Sequence, residues 1–125
     1  MTENEIATTV LDHAFALHRA LGPGLLESVY EKALFYDLVE TGLTVQAQVP
    51  MPLIYKEIHF EAGFRLDLLV ENKVIVELKS IENLAPIHFA QTLTYLKLSN
   101  KRLGLLINFN NKLLKDGVHR IANNL

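Results

Sequence analysis

Between Phe64 and Lys79 the chain reads F-R-L-D-L-L-V-E-N-K-V-I-V-E-L-K, with Arg65, Asp67, Glu77 and Lys79 set at alternate positions among aliphatic residues. The outer thirds of this run are β-branched and aliphatic, and polar Glu71-Asn72-Lys73 divides them, which predicts a β-hairpin. A turn made of those three residues sets Val70 against Val74, Leu69 against Ile75, Asp67 against Glu77 and Arg65 against Lys79. A two-residue turn would instead send the two acids to opposite faces. In the first register, alternation puts Phe64, Leu66, Leu68, Val70, Val74, Val76 and Leu78 on one apolar side. Arg65, Asp67, Glu77 and Lys79 then share the other.

Carboxylates directly across a ladder stand roughly 4.5–5.5 Å apart at Cβ and repel each other. A divalent cation held between them offsets that repulsion, and hard oxygen ligands suit Mg²⁺ or Mn²⁺. Diagonal salt bridges on a solvated face, Arg65 to Glu77 and Asp67 to Lys79, are the alternative.

The elements that must carry this hairpin follow from periodicity. Thr2-Glu3-Asn4-Glu5 has the form of a capping box. Apolar Ile6, Val10, Ala14, Leu17 and Leu21 then recur near helical spacing until Gly22-Pro23-Gly24 turns the chain. A second helix is expected from about Leu25 to Glu40, burying Leu26, Val29, Ala33, Leu34 and Leu38, with Gly42 as its left-handed terminator. Thr44 to Val49 alternates as a strand, and Pro50 and Pro52 assign the region to an edge or bend. A short strand at Leu53 to Tyr55 and a loop from Lys56 to Ala62 lead into the hairpin. Pro86 opens a third helix as a first-turn proline, ending at about Ser99 or Asn100. Arg102 to Asn108 is near-continuously apolar and reads as a strand buried on both faces. The segment Val118 to Ile121 reads as a final edge strand. The fold class is therefore α/β, a mixed sheet flanked by helices with one strand–helix–strand crossover.

Composition bounds the rest. A chain of 125 residues that is 50% hydrophobic fits one domain able to bury about two-thirds of its unfolded surface. It has no cysteine, which excludes disulfides and thiolate metal sites and fits a reducing, cytoplasmic setting. The acidic N-terminus lacks the pattern of a secretory signal, and no apolar run is long enough to span a membrane. The net charge of −2 is unevenly placed. Residues 1–96 carry 6 basic and 13 acidic side chains, whereas residues 97–125 carry 6 basic and one acidic. That basic quarter either tracks phosphates or is an ordinary solvated surface. His13 and His18 lie five apart and do not share a helical face, and His59 has no partner at ligand spacing. All three read as surface or packing residues.

Three further motifs join the hairpin. Gly24 to Tyr30 reads G-x-x-E-x-x-Y, Asp67 with Glu77-Leu78-Lys79 reads D-x₉-E-x-K, and Gln91 to Tyr95 reads Q-x-x-x-Y. The ordered set resembles the GxxExxY family of the PD-(D/E)XK nuclease superfamily over nearly the whole chain, and the last motif is similar to that of RecB-type exonucleases. Leu66 stands where the superfamily's name has proline. The resemblance implies a restriction-endonuclease-like fold and metal-dependent hydrolysis of phosphodiester bonds in DNA or RNA, with DNA favoured. It implies Asp67, Glu77 and the Leu78 carbonyl as metal ligands, with Glu27 as a further carboxylate, and Lys79 orienting water and stabilising developing charge. Gln91 is implied as a catalytic auxiliary and Tyr95 as a substrate contact, the alternative being a helix-surface amide and a half-buried tyrosine, and Tyr30 and Arg65 are further candidate substrate contacts. Tyr30, three residues after Glu27, would either fix the Glu27 rotamer or belong to the core. His88, one turn before Gln91, either faces the cleft or packs. A small domain of this kind also admits a homodimer. The rivals are a catalytically silent nuclease fold that binds nucleic acid or a protein, and a purely structural domain.

Overall fold

Thr2 caps the first helix as its sequence requires. Its Oγ1 accepts the Glu5 N–H at 3.2 Å, and Glu5 Oε1 accepts the Thr2 N–H at 2.8 Å, a reciprocal cap whose side-chain half is worth about 1 kcal/mol. The computed structural model describes residues 1–125, and in it α1 spans Glu3–Leu21, burying Ile6, Val10, Ala14 and Leu17. Leu21, expected in that stripe, is exposed. Gly22, at φ +74°, ends the helix.

Helix α2 spans Glu27–Glu40, starting two residues later than expected. Its buried stripe is Tyr30, Leu34 and Leu38, at i, i+4 and i+8. Leu26 (73% exposed) and Val29 (40% exposed), both expected inside, lie on the surface: Leu26 precedes the helix as its N-cap, and Val29 falls off the Tyr30–Leu34–Leu38 stripe.

Strand β1 runs Val45–Tyr55, β2 Ile58–Val70 and β3 Val74–Lys79. Helix α3, Pro86–Ser99, then crosses to β4, Leu103–Asn108, and β5, Val118–Ala122, follows a 3₁₀ turn at Leu114–Gly117. The sheet order is β1-β2-β3-β4-β5, antiparallel except for the parallel pair β3 and β4 that the α3 crossover joins. Pro50 and Pro52 both fall in β1, the outermost strand, the position in a sheet where proline is tolerated. The loop expected from Lys56 to Ala62 is instead a tight turn at Lys56-Glu57, and most of that segment is β2. Edge position explains the miss: β1 and β2 extend beyond the body of the protein, so their ends carry no buried face to mark them.

Helices α1 and α2 cover one face of the sheet, packing Tyr30, Leu34 and Leu38 against Leu68, Val70, Val76, Leu78, Leu105 and Ile107. On the opposite face Leu96 of α3 packs with Leu66, Leu69 and Ile75. Gly104 lets α3 come close, since a Cβ there would stand 3.0 Å from Thr92 Cγ2.

Candidate active site

The hairpin register is the expected one where it is a ladder, with Val70↔Val74, Leu69↔Ile75 and Leu68↔Val76. Beyond Leu68 the pairing stops. Glu77 and Lys79 pair on their other side with Leu106 and Asn108 of β4, and Arg65 pairs with Pro50 of β1. The expected ladder pairs Asp67–Glu77 and Arg65–Lys79 are thus not formed. Side chains replace them. The Asp67 N–H donates to Glu77 Oε2 at 2.8 Å, and the Leu78 N–H donates to Asp67 Oδ2 at 2.8 Å. Each acid satisfies a backbone amide that the diverging strands leave without a carbonyl.

The alternation also slips at this level. Phe64 and Leu66 pack on the α3 side with Leu69, whereas Leu68 and Val70 face α1 and α2. On β1 the same change occurs between Val45, on the helix-pair side, and Val49 and Met51, on the α3 side. Gln48 lies between them at φ +52°, level with Asp67. The single apolar side expected from Phe64 to Leu78 is therefore two half-faces, and the roll of both strands opens the sheet at Asp67.

Into that opening α2 brings its first residue, Glu27, and one turn later Glu31. Gln48 Nε2 donates to Glu31 Oε1 at 2.7 Å. Burial raises the pKa of all four acids. Glu27 is raised further by the Asp67 charge and lowered by Lys79. Glu31 is raised by burial and held back by the Gln48 amide. Asp67 is raised by burial against the pull of the Leu78 N–H and Lys79. Glu77 is pushed up to about 8, by burial first and then by the Asp67 charge. Lys79 favours the ionised form of Asp67, Glu77 and Glu27, the sign expected of a cation standing among acids.

From the other face α3 presents Tyr95, stacked on Phe64 with centroids 4.8 Å apart. Its hydroxyl pKa is raised by burial and then by the charges of Glu77 and Asp67. Gln91 lies one turn earlier on the same helical face. His88 does not face this site through Nδ1, which accepts the Ala85 N–H at 2.9 Å and ties down the start of α3. Tyr30 corrects another expectation. It is wholly buried, donates to Gly22 O at 2.5 Å, accepts the Leu25 N–H at 3.2 Å and stacks on Phe109 at 4.6 Å. It holds the turn that leads to Glu27, its hydroxyl bonds that turn and not the Glu27 side chain, and it is not open to a substrate. Arg65 is exposed on β2.

Residues that the sequence did not single out complete the site. Buried Asn108 donates through Nδ2 to Ile81 O at 2.9 Å and accepts the Ile81 N–H at 3.1 Å, fixing the chain just after Lys79. Its signal was a lone amide ending an apolar strand. Glu31, four residues after Glu27, was legible as its helical neighbour, but Gln48 carried no signal.

The donor chemistry fits a hard divalent cation. Asp67 and Glu77 each commit one carboxylate oxygen to a backbone amide, which leaves the second oxygen of each, and Lys79 acts on both of these acids and on Glu27. No three acidic or imidazole side chains form a ready-made cage. Neither of the two cavities of the protein is lined by Asp67, Glu77 or Lys79. No helix is long and apolar enough to cross a membrane.

No curated protein and no solved structure matches the chain. A family model of the PD-(D/E)XK nuclease superfamily, whose members generally use divalent metals, matches residues 4–121, a span that runs from the first turn of α1 into β5. With its mixed sheet between helices and its acids where two strands part, the chain belongs to the PD-(D/E)XK nuclease superfamily and has its restriction-endonuclease-like fold.

Proposed function

We propose that this protein is a metal-dependent nuclease that hydrolyses phosphodiester bonds, of the GxxExxY type that Gly24, Glu27 and Tyr30 resemble. The observation that carries this reading is the exchange of amide hydrogen bonds between Asp67 and the Glu77-Leu78 segment, which holds a buried carboxyl group, Glu77, and a half-buried one, Asp67, together beside Lys79. Carboxylates so placed repel unless protonated or bridged by positive charge.

In this reading Asp67, Glu77 and the Leu78 carbonyl hold Mg²⁺ or Mn²⁺, with Glu27 completing the set. A bound divalent cation supplies positive charge for the scissile phosphate and acidifies water. Lys79 orients the attacking water by hydrogen bonding and stabilises charge that develops on the phosphate oxygens. Gln91 and Tyr95 approach from α3 and position the substrate backbone. DNA is the favoured substrate.

A second reading is a nuclease fold that binds without cutting. The amide hydrogen bonds to Asp67 and Glu77 favour it, since they give both acids a structural task that needs no ion. Incubation of labelled DNA and RNA with Mg²⁺ or Mn²⁺, with and without chelator, separates the two. Cleavage that needs metal and disappears in Glu77→Gln and Lys79→Ala supports the nuclease. Folded protein that binds metal and cuts neither polymer supports the second reading.

A further inference from the structure

A groove of about 450 Å³ lies between the C-terminal end of α1 and the Lys112–Lys115 segment. Arg19, Lys112 and Lys115 line it together with apolar Phe15, Leu113 and Leu114, and no acidic side chain does. Arg19 by itself would be the usual complement to the carbonyl end of α1. Lys112 and Lys115 come from a different segment and need another reason. The other cations of the basic C-terminal quarter are partly accounted for: Lys101 bonds Asn72, Arg102 bonds the Asn124 carbonyl and Arg120 bonds Asn4.

Both walls of the groove are fastened to the strand that carries Glu77 and Lys79. On one side Ser80 Oγ donates to Leu25 O at 2.6 Å, while Tyr30 holds Gly22 and Leu25. On the other the Phe109 N–H donates to Lys79 O at 2.9 Å, and His18 Nε2 meets Asn111 O at 2.8 Å. Pro23, in the groove wall, is four residues from Glu27, so their Cα atoms are at most about 15 Å apart.

We infer that this groove is the track for single-stranded nucleic acid leading away from the Asp67–Glu77 face. Backbone phosphates meet Arg19, Lys112 and Lys115, and a base rests on the apolar lining beside Phe15. A groove of about 450 Å³ is of the size that takes a single nucleotide unit, and its apolar lining suits an unstacked base. Charge complementarity is the argument for the occupant: the acidic face repels a polyanion, and this adjoining surface attracts one. The inference rests on the nuclease reading.

The test is fluorescence anisotropy with oligothymidylate of about twelve residues, in chelator so that nothing is cut. Wild type is compared with Lys112→Glu/Lys115→Glu, with Arg19→Ala, and with Lys56→Glu/Lys97→Glu as a control of equal charge change outside the groove. All five positions are exposed, and unchanged melting temperatures check the fold. The expected result is at least about a tenfold loss of affinity in the groove double variant, a salt slope smaller by about 1.4, and a control close to wild type. Arg19→Ala should show a smaller loss. Equal weakening in groove and control variants, or none in either, overturns the groove while leaving the nuclease reading standing. Tighter binding of a duplex of the same length, with the same dependence on Lys112 and Lys115, overturns the single-strand assignment. Wild type that binds no oligonucleotide at low salt overturns the inference. If it also cuts no substrate with metal present, the nuclease reading fails with it.

Discussion

Asp67 and Glu77 are joined through each other's backbone surroundings: Glu77 takes the Asp67 N–H, and Asp67 takes the N–H of Leu78, both at 2.8 Å. The acids therefore act as structural acceptors and as candidate ligands at once. Glu77→Gln keeps an oxygen acceptor for the Asp67 amide and should stay folded, while cleavage falls by at least about a hundredfold, the scale of losing one main charge-stabilising group. Circular dichroism and a single-turnover cleavage assay check both halves. A folded Glu77→Gln with full activity would count against the mechanism.

Metal-free stability should depend on pH in a definite direction. Folding raises the Glu77 pKa from 4.5 to about 8. Between those values the folded state keeps a proton that the unfolded chain has released, so stability falls as pH rises. The contribution is complete below the unfolded value and gone above the folded one. Glu27, Glu31 and Asp67, also raised, act in the same sense. Melting in chelator should thus show a midpoint that declines toward pH 8, and Glu77→Gln should flatten the curve. A midpoint that climbs over this interval would contradict the buried, protonated Glu77.

Cation binding should reverse that loss. At roughly a hundredfold excess over Kd, mass action adds about 2.7 kcal/mol, which is about 10 °C for a domain of this size. Mn²⁺ titration followed by thermal melting above pH 8 is the measurement. The shift should be absent in Asp67→Ala, and an equal shift in that variant would place the ion elsewhere.

Tyr30→Phe removes the hydroxyl that bridges Gly22 O and the Leu25 N–H while keeping the stack on Phe109. Two backbone groups lose a partner, and the cost should be about 1–3 kcal/mol. Because the same turn leads into Glu27, cleavage should drop more than stability alone explains at a temperature where the variant is folded. Denaturant melts paired with kcat and KM values separate the two effects.

Two core substitutions test the layers. Val76→Asp places an uncompensated charge among Leu68, Leu105 and the helices, and should leave no folded protein. Gly104→Ala sets a Cβ 3.0 Å from Thr92 Cγ2 and 3.4 Å from Leu96 Cδ1, and should cost about 1–3 kcal/mol by pushing α3 off the sheet.

Much of this protein is local enough to be written in its sequence. The capping box at Thr2, the stop at Gly22, the turn at Glu71-Asn72-Lys73, the proline that starts α3 and the doubly buried β4 depend on neighbours a few residues away. So does the pairing of Val70 with Val74. What periodicity cannot carry is a change of phase. Gln48 and Asp67 lie level with each other on paired strands, and the sheet rolls there because α2 and α3 cover different faces on either side of that level. The same long-range packing put Tyr30 in the core instead of at the substrate, recruited Gln48, Glu31 and Asn108 to the site, and gathered Arg19 with Lys112 and Lys115 across more than ninety residues. Residue types and spacing chose the acids. Only the tertiary fold decided that the strands part between them, since that opening is a compromise between two hydrophobic faces and neither strand encodes it alone.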